Sequence, residues 1–300
     1  MISSDNRSFI LDTDWWTDCD DCVALRLLIE SDLKGVNINA FLDISPYSLD
    51  LFLKSYSVLN VPIAIDKKAT YYNDPPENSY QKKLIEKFSG GNFKAAECYE
   101  DSVSFYRRIL SETDKKIDII SVGFQNSIAD LLLSEPDGYS HLNGIELCRE
   151  KVGKLWAMAG RWDKENAKEY NIANNSYSAK AAQIVAEKFP CPITYLGFEV
   201  GESVITGGKN VISDENDALL VAMKAHGSPN GRDSWDPMTV MMAIHGDEEK
   251  ASYTKVYGIP VIADDGTNRF IEDENSDRCY VVKKYPDSFY EEEINSQIIR

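Results

Sequence analysis

Five aspartates fall within ten residues near the N-terminus, in Asp12-Thr13-Asp14-Trp15-Trp16-Thr17-Asp18-Cys19-Asp20-Asp21. Carboxylates this crowded repel one another strongly unless a cation neutralises them. Oxygen donors of this kind suit a hard divalent ion, Ca2+ or Mg2+. The blander alternative is an acidic loop whose aspartates satisfy a helix N-terminus, but capping needs one or two such residues. Three later stretches carry polar groups suited to ligands: Gly123-Phe124-Gln125-Asn126-Ser127; Ala159-Gly160-Arg161-Trp162 with Asn166, Glu169, Tyr170 and Asn171; and Ser234-Trp235-Asp236-Pro237. Asp236 followed by Pro237 also reads as an ordinary helix start.

The elements around these stretches explain why they should meet. The acidic window lies between an apolar run, residues 8–11, and a helical pattern from Cys22, so it reads as strand, loop, helix. Further strands are expected at 36–41, 61–65, 117–122, 154–158, 192–197 and 257–261. Helices are expected at 22–31, 48–59, 76–88, 101–112, 127–134, 176–189, 215–225 and 237–244. Alternating strands and helices imply an open, mostly parallel twisted α/β sheet with helices on both faces. Ligands in such sheets bind beyond the carboxyl ends of the strands, where all four polar stretches fall. Residues 252–300 change character. Asp264-Asp265-Gly266-Thr267-Asn268 is a hairpin signal, so this tail is read as a small antiparallel extension of a single domain spanning 1–300, with its core at about 8–245.

Composition narrows the function further. The chain has 300 residues, 43% of them hydrophobic, with a formal net charge of −17. That charge disfavours nucleic acid and anionic membranes as partners. The acidic runs 272–274 and 291–293 are read as solvated faces. Cys19 and Cys22 form a C-x-x-C, but without a second such pair or a histidine pair the zinc reading lapses. The other cysteines fit buried, reduced thiols. No secretory pattern and no membrane-length apolar run is present, so a cytoplasmic protein is expected.

The pattern Asp12-Thr13-Asp14-x-x-Thr17-Asp18-x-Asp20-Asp21 resembles a long-loop variant of the N-terminal signature of the inosine–uridine-preferring nucleoside hydrolases. Val122–Ser127, Ala157–Arg161 with Glu169-Tyr170-Asn171, Gly197–Gly201 and Ser234-Trp235-Asp236 resemble later segments of that family, in order. The resemblance implies Ca2+-dependent hydrolysis of the N-glycosidic bond of a small-molecule nucleoside or riboside, by a homodimer or homotetramer. It implies that Asp14 is both metal ligand and general base. Asp21, Asp236 and the backbone carbonyl of Asn126 would complete the metal shell. Asp20, Asn166, Glu169 and Asn171 would hold the sugar, and Trp235 would contact substrate. Base preference would rest with loops such as 72–78 and 226–233.

This chain departs from the family's pattern at several points. Trp15 and Trp16 stand where small residues are usual, and would cover the pocket, stack on a ligand, or pack beneath the loop. Trp235 replaces the histidine that often protonates the leaving base, leaving His226 as the candidate acid. Asp43 is the candidate substitute for a ribose-contacting asparagine. These departures keep open a non-catalytic calcium- and sugar-binding relative. The third reading, a haloacid-dehalogenase-like phosphatase built on Asp12 and Asp14, gives Glu169–Asn171 and Ser234–Asp236 no role.

Overall fold

The computed structural model describes residues 7–69 and 79–299. The loop 72–78 and the start of the expected helix 76–88 lie outside the described residues. The strands are β1 (Ser8–Thr13), β2 (Asp32–Ile38), β3 (Ile63–Ile65), β4 (Glu100–Asp101), β5 (Ile117–Val122), β6 (Val152–Met158), β7 (Ile193–Leu196), β8 (Ile205–Thr206), β9 (Arg232–Asp233), β10 (Tyr253–Ile262), β11 (Asn268–Glu272) and β12 (Arg278–Lys283). The helices are α1 (Asp20–Leu28), α2 (Ser45–Ser55), α3 (Tyr80–Phe88), α4 (Ser102–Glu112), α5 (Asn126–Leu132), α6 (Gly144–Lys151), α7 (Tyr170–Ala173), α8 (Ser176–Lys188), α9 (Phe198–Gly201), α10 (Ala218–His226), α11 (Trp235–His245) and α12 (Asp287–Ile298).

Ten strands form one sheet in the order β11-β10-β12-β7-β6-β5-β1-β2-β3-β4, and β8 pairs with β9 apart from it. From β12 to β4 every neighbouring pair is parallel. The expected antiparallel tail is present, and one of its strands also joins the main sheet. β10 pairs antiparallel with β11 and β12, but β12 itself runs parallel to β7 and so extends the main sheet. The expected solvated face at 291–293 is also only partly so. On α12, Glu291 Oε1 accepts from Ile205 N at 2.9 Å, and Glu293 Oε1 lies 3.0 Å from His245 Nε2.

Strand alternation separates two cores. Phe9 and Leu11 pack with Leu25, Phe52, Leu84, Met223, Val240 and Ile294 on one face. Ile10 packs with Tyr106, Ile128, Leu147 and Val185 on the other. Local signals end the helices where the chain must turn. Asn143 and Glu146 form a capping box at the start of α6, and α10 and α11 stop at Gly227 and Gly246, both in the left-handed region. Among the described residues, no helix is long and apolar enough to cross a membrane.

The strand order places the site. After β1 the chain moves outward through β2, β3 and β4, then returns to β5 on the other side of β1. β1 and β5 are in register, Thr13 opposite Val122, so their loops leave the sheet edge together and diverge. A crevice opens at such a switch point. Gly123 permits the close approach there, since a Cβ on it would lie 2.7 Å from the Asp14 nitrogen.

Candidate active site

Asp14 is the first residue beyond β1, and Asp20 and Asp21 open α1. The loop between them is held from below. Trp15 has φ 46°, a costly conformation for a bulky residue. Its carbonyl accepts from Gln81 Nε2 at 2.7 Å and Ser45 Oγ at 3.2 Å, and its indole N–H donates to Ser48 Oγ at 2.9 Å. The fully buried ring meets Phe52 and Tyr80 edge-on at centroid distances of 5.4 and 5.7 Å. Trp15 therefore packs beneath the loop, and neither Trp15 nor Trp16 lines the cavity above it.

That cavity, about 390 Å3, is walled by Asp14, Asp18, Asp20 and Asp21 from the first loop and by Trp235 and Asp236 from α11. Glu169, Tyr170 and Asn171 face them from the stretch after β6, and Arg232 and Phe198 also border it. Carboxylate oxygens of Asp20, Asp21 and Asp236 all lie within 4.8 Å of one another. Thr13 Oγ1 donates to Asp21 Oδ1, Trp16 N donates to Asp14 Oδ1 at 3.2 Å, and Asp236 N donates to Asp20 Oδ2 at 3.1 Å. Glu169 is pinned by Asn171 N at 2.7 Å and Gly160 N at 3.0 Å, and Asn171 Nδ2 donates to Met158 O at 3.2 Å.

The electrostatics are those of buried, mutually repelling acids. Burial, then the charges of Asp20 and Asp18, push the Asp14 carboxyl up to about 8. Burial first and neighbouring aspartates next hold Asp20, Asp21 and Asp236 well above the ordinary carboxylate range. Burial raises Glu169 to about 7 against the opposing pull of its backbone hydrogen bonds. Oxygen-only donors in this state fit a hard divalent cation, whose charge would offset the repulsion.

Of the residues expected from sequence, Asp14, Asp20, Asp21, Glu169, Asn171, Trp235 and Asp236 meet in this cavity. Three do not. Asn126 begins α5 away from the lining, its amide donating to Asn39 O at 2.9 Å and to Asp66 Oδ2; the residue of that segment at the cavity is Val122. Asn166 is an exposed turn residue with φ 53°. His226, at the end of α10, lies behind Asp18, with Nε2 3.9 Å from Asp18 Oδ1. Asp43 is also elsewhere, exposed and capping Ala96 N at 2.8 Å.

Sequence reasoning missed three features. Asp12 is not a site residue: fully buried, it accepts from Asn37 Nδ2 at 2.8 Å and from Asn39 and Tyr106, and burial raises it to about 7. Asn39 also accepts from Phe124 N at 3.1 Å, joining the loops after β2 and β5. Arg232 grips Asp18 with a fork, Nε to Oδ1 at 2.8 Å and Nη2 to Oδ2 at 2.6 Å. A lone cation just ahead of Ser234-Trp235-Asp236 was the available signal.

A ten-stranded, largely parallel sheet with an acidic cavity at its switch point is the fold of the nucleoside hydrolases. In particular, the structure is similar to the inosine-uridine preferring nucleoside hydrolase from Bacillus anthracis, with a TM-score of 0.70 and 15% identity over 98% of this chain and 99% of that one. It is similar to the purine-preferring ribonucleoside hydrolase from Gardnerella vaginalis, with a TM-score of 0.69 and 15% identity over 98% of each chain. The type III effector protein XopQ, solved in complex with adenosine diphosphate ribose, has the same fold, with a TM-score of 0.66 and 13% identity over 98% of this chain and 93% of that one. No family model and no curated protein matches the chain by sequence.

Proposed function

We propose that this protein hydrolyses the N-glycosidic bond of a ribonucleoside or related riboside, with Ca2+ as its metal. The observation that supports this most directly is the convergence of Asp14, Asp21 and Asp236 from two distant segments, opposite Glu169 and Asn171 in one cavity. Those three aspartates would hold the cation, together with the carbonyl of Val122 in place of that of Asn126. When bound, calcium would neutralise the acids, hold the ribose 2′- and 3′-hydroxyls and polarise the attacking water.

The protein's own groups then carry the reaction. Asp14, at the cavity floor beside the other aspartates, would take the proton of the attacking water. Asp20, Glu169 and Asn171 hold ribose hydroxyls. The surrounding carboxylates stabilise positive charge as it develops on the sugar during cleavage. Trp235 and Phe198, stacked at 5.1 Å, give the leaving base a flat apolar wall.

A second reading is a protein that binds a ribosyl ligand without turnover. Two observations favour it: among the described residues no histidine lines the cavity, and XopQ is an effector protein solved with adenosine diphosphate ribose. Hydrolysis of p-nitrophenyl riboside decides between them, because its leaving group needs no protonation. Calcium-dependent release of nitrophenol, lost on chelation, supports the hydrolase. Folded, calcium-loaded protein that releases none supports the binding protein.

A further inference from the structure

Behind the Asp18 wall lies a second set of donor side chains that no step above uses. The Asp18 carboxylate, the Cys19 thiol and the His226 imidazole each place an atom within 4.8 Å of the other two. Asp18 and Cys19 precede α1, whereas His226 closes α10, so the fold alone brings them together. The Ser228 hydroxyl lies 2.9 Å from His226 Nδ1, which leaves Nε2 facing Asp18. Ligating imidazoles are held in this way, through the nitrogen that does not bind metal. His226 sits at a helix C-terminus, where the backbone dipole favours a cation. The Arg232 fork and the Cys19 backbone N–H, which donates to Oδ1 at 2.7 Å, hold the Asp18 carboxylate in place.

We propose that Asp18, Cys19 and His226 form a second metal site, for a borderline-soft divalent cation of the Zn2+ type, separate from the oxygen-only site of Asp14, Asp21 and Asp236. Sulfur and imidazole donors beside one carboxylate are zinc ligands, and calcium and magnesium avoid them. Three protein ligands leave a fourth tetrahedral position open to water. Binding forms a sulfur–metal bond and releases the Cys19 thiol proton to solvent, with no electron transfer. Both cysteines of the C-x-x-C are buried in the core, and of the two only Cys19 also borders the Asp18–His226 pair. Occupancy would tether the loop carrying Asp20 and Asp21 to the end of α10.

The test is a Co2+ titration of the full chain in excess Ca2+, followed by the absorption of thiolate-to-cobalt charge transfer, with Zn2+ as competitor. The expected result is one equivalent of cobalt giving the band and zinc abolishing it. Ser228→Ala should weaken binding about 10–100-fold, His226→Gln at least as much, and Cys19→Ser should remove the band. Asp236→Asn should leave it, so this site and the proposed hydrolase site fail separately. Cobalt bound without the band, or a band that survives Cys19→Ser or disappears in Asp236→Asn, overturns the proposal. If Cys19→Ser does not fold, unchanged cobalt affinity in His226→Gln, a partly exposed position, overturns it equally.

Discussion

The backbone N–H of Asp236 donates to the Oδ2 of Asp20 across 3.1 Å, joining residues 216 apart in sequence. The first turns of α1 and α11 therefore meet, and their aspartates share the positive ends of two helices. Those dipoles offset part of the repulsion among the buried acids. The remaining repulsion gives the metal-free protein a characteristic response to pH.

Asp14 is raised from an ordinary 3.8 to about 8. A carboxyl whose value is higher in the fold than in the unfolded chain adds stability at low pH, and that stability is lost as pH rises. The metal-free protein should therefore lose Tm between about pH 4 and pH 8. The proposed calcium would bind the deprotonated form, so its stabilising shift should grow over the same interval. Thermal unfolding with calcium and with chelator at both ends of the interval measures this. An equal calcium shift at both ends would remove these carboxylates from the metal site.

Asp14→Asn separates stability from chemistry. It removes a carboxyl that must take up a proton to be buried, so the chelated protein should melt at a higher temperature near neutral pH. The same change removes the proposed base, and kcat on p-nitrophenyl riboside should fall about 10²–10⁴-fold. Retention of full kcat would sink the assigned role of Asp14.

The legible parts of this molecule were those whose signals are local. An apolar run, an acidic loop and a helical pattern in sequence gave β1, the site loop and α1 with only small shifts at their ends, as for β5 and α8. The illegible parts depend on partners far along the chain. Nothing near Trp15 indicates that Ser48, Phe52 and Tyr80 form a socket for it. Every residue has a carbonyl, so side-chain types could not tell Val122 from Asn126 as the one at the cavity. Asp12 and Asp14 differ by two positions in one acidic pattern. Asp12 still lies within β1, where Asn37, Asn39 and Tyr106 satisfy it, and Asp14 lies just past the strand end. The helix 287–298 escaped notice because its acidic run reads as surface.

The socket makes a stability prediction. Trp15→Ala would empty a fully buried site and leave Ser48 without its indole donor. A loss of about 3–5 kcal/mol is expected, read from urea unfolding. A loss under about 1 kcal/mol would mean that the indole does not anchor the loop.

Asn166 and Asn171 should separate cleanly. Asn166 is an exposed turn residue at φ 53°, so Asn166→Gly should leave kcat/KM unchanged and stability equal or slightly higher. Asn171 lines the cavity and donates from its backbone to Glu169 and from its side chain to Met158. Asn171→Ala should therefore cut kcat/KM at least tenfold, on the order of one lost hydrogen bond to a charged or buried partner. Steady-state kinetics on both variants checks the pair, and a larger loss in Asn166→Gly would contradict the cavity described here.

Trp235 offers the sharpest separation of binding from chemistry. Its ring stacks on Phe198 at an interplanar angle of 28°, its N–H donates to Phe198 O at 2.8 Å, and a Cβ on Gly201 would press on it at 2.5 Å. The indole is thus fixed before any ligand arrives, while the next residue, Asp236, faces the acidic cluster. A preset aromatic wall should contribute to binding the leaving group and not to deprotonating water. Trp235→Ala should raise KM for an aromatic riboside about two- to tenfold, as loss of one aromatic contact does, with kcat nearly unchanged. The calcium-induced rise in Tm should persist, because the carboxylates stay in place. A fall in kcat at constant KM would instead give Trp235 a part in the bond-breaking step.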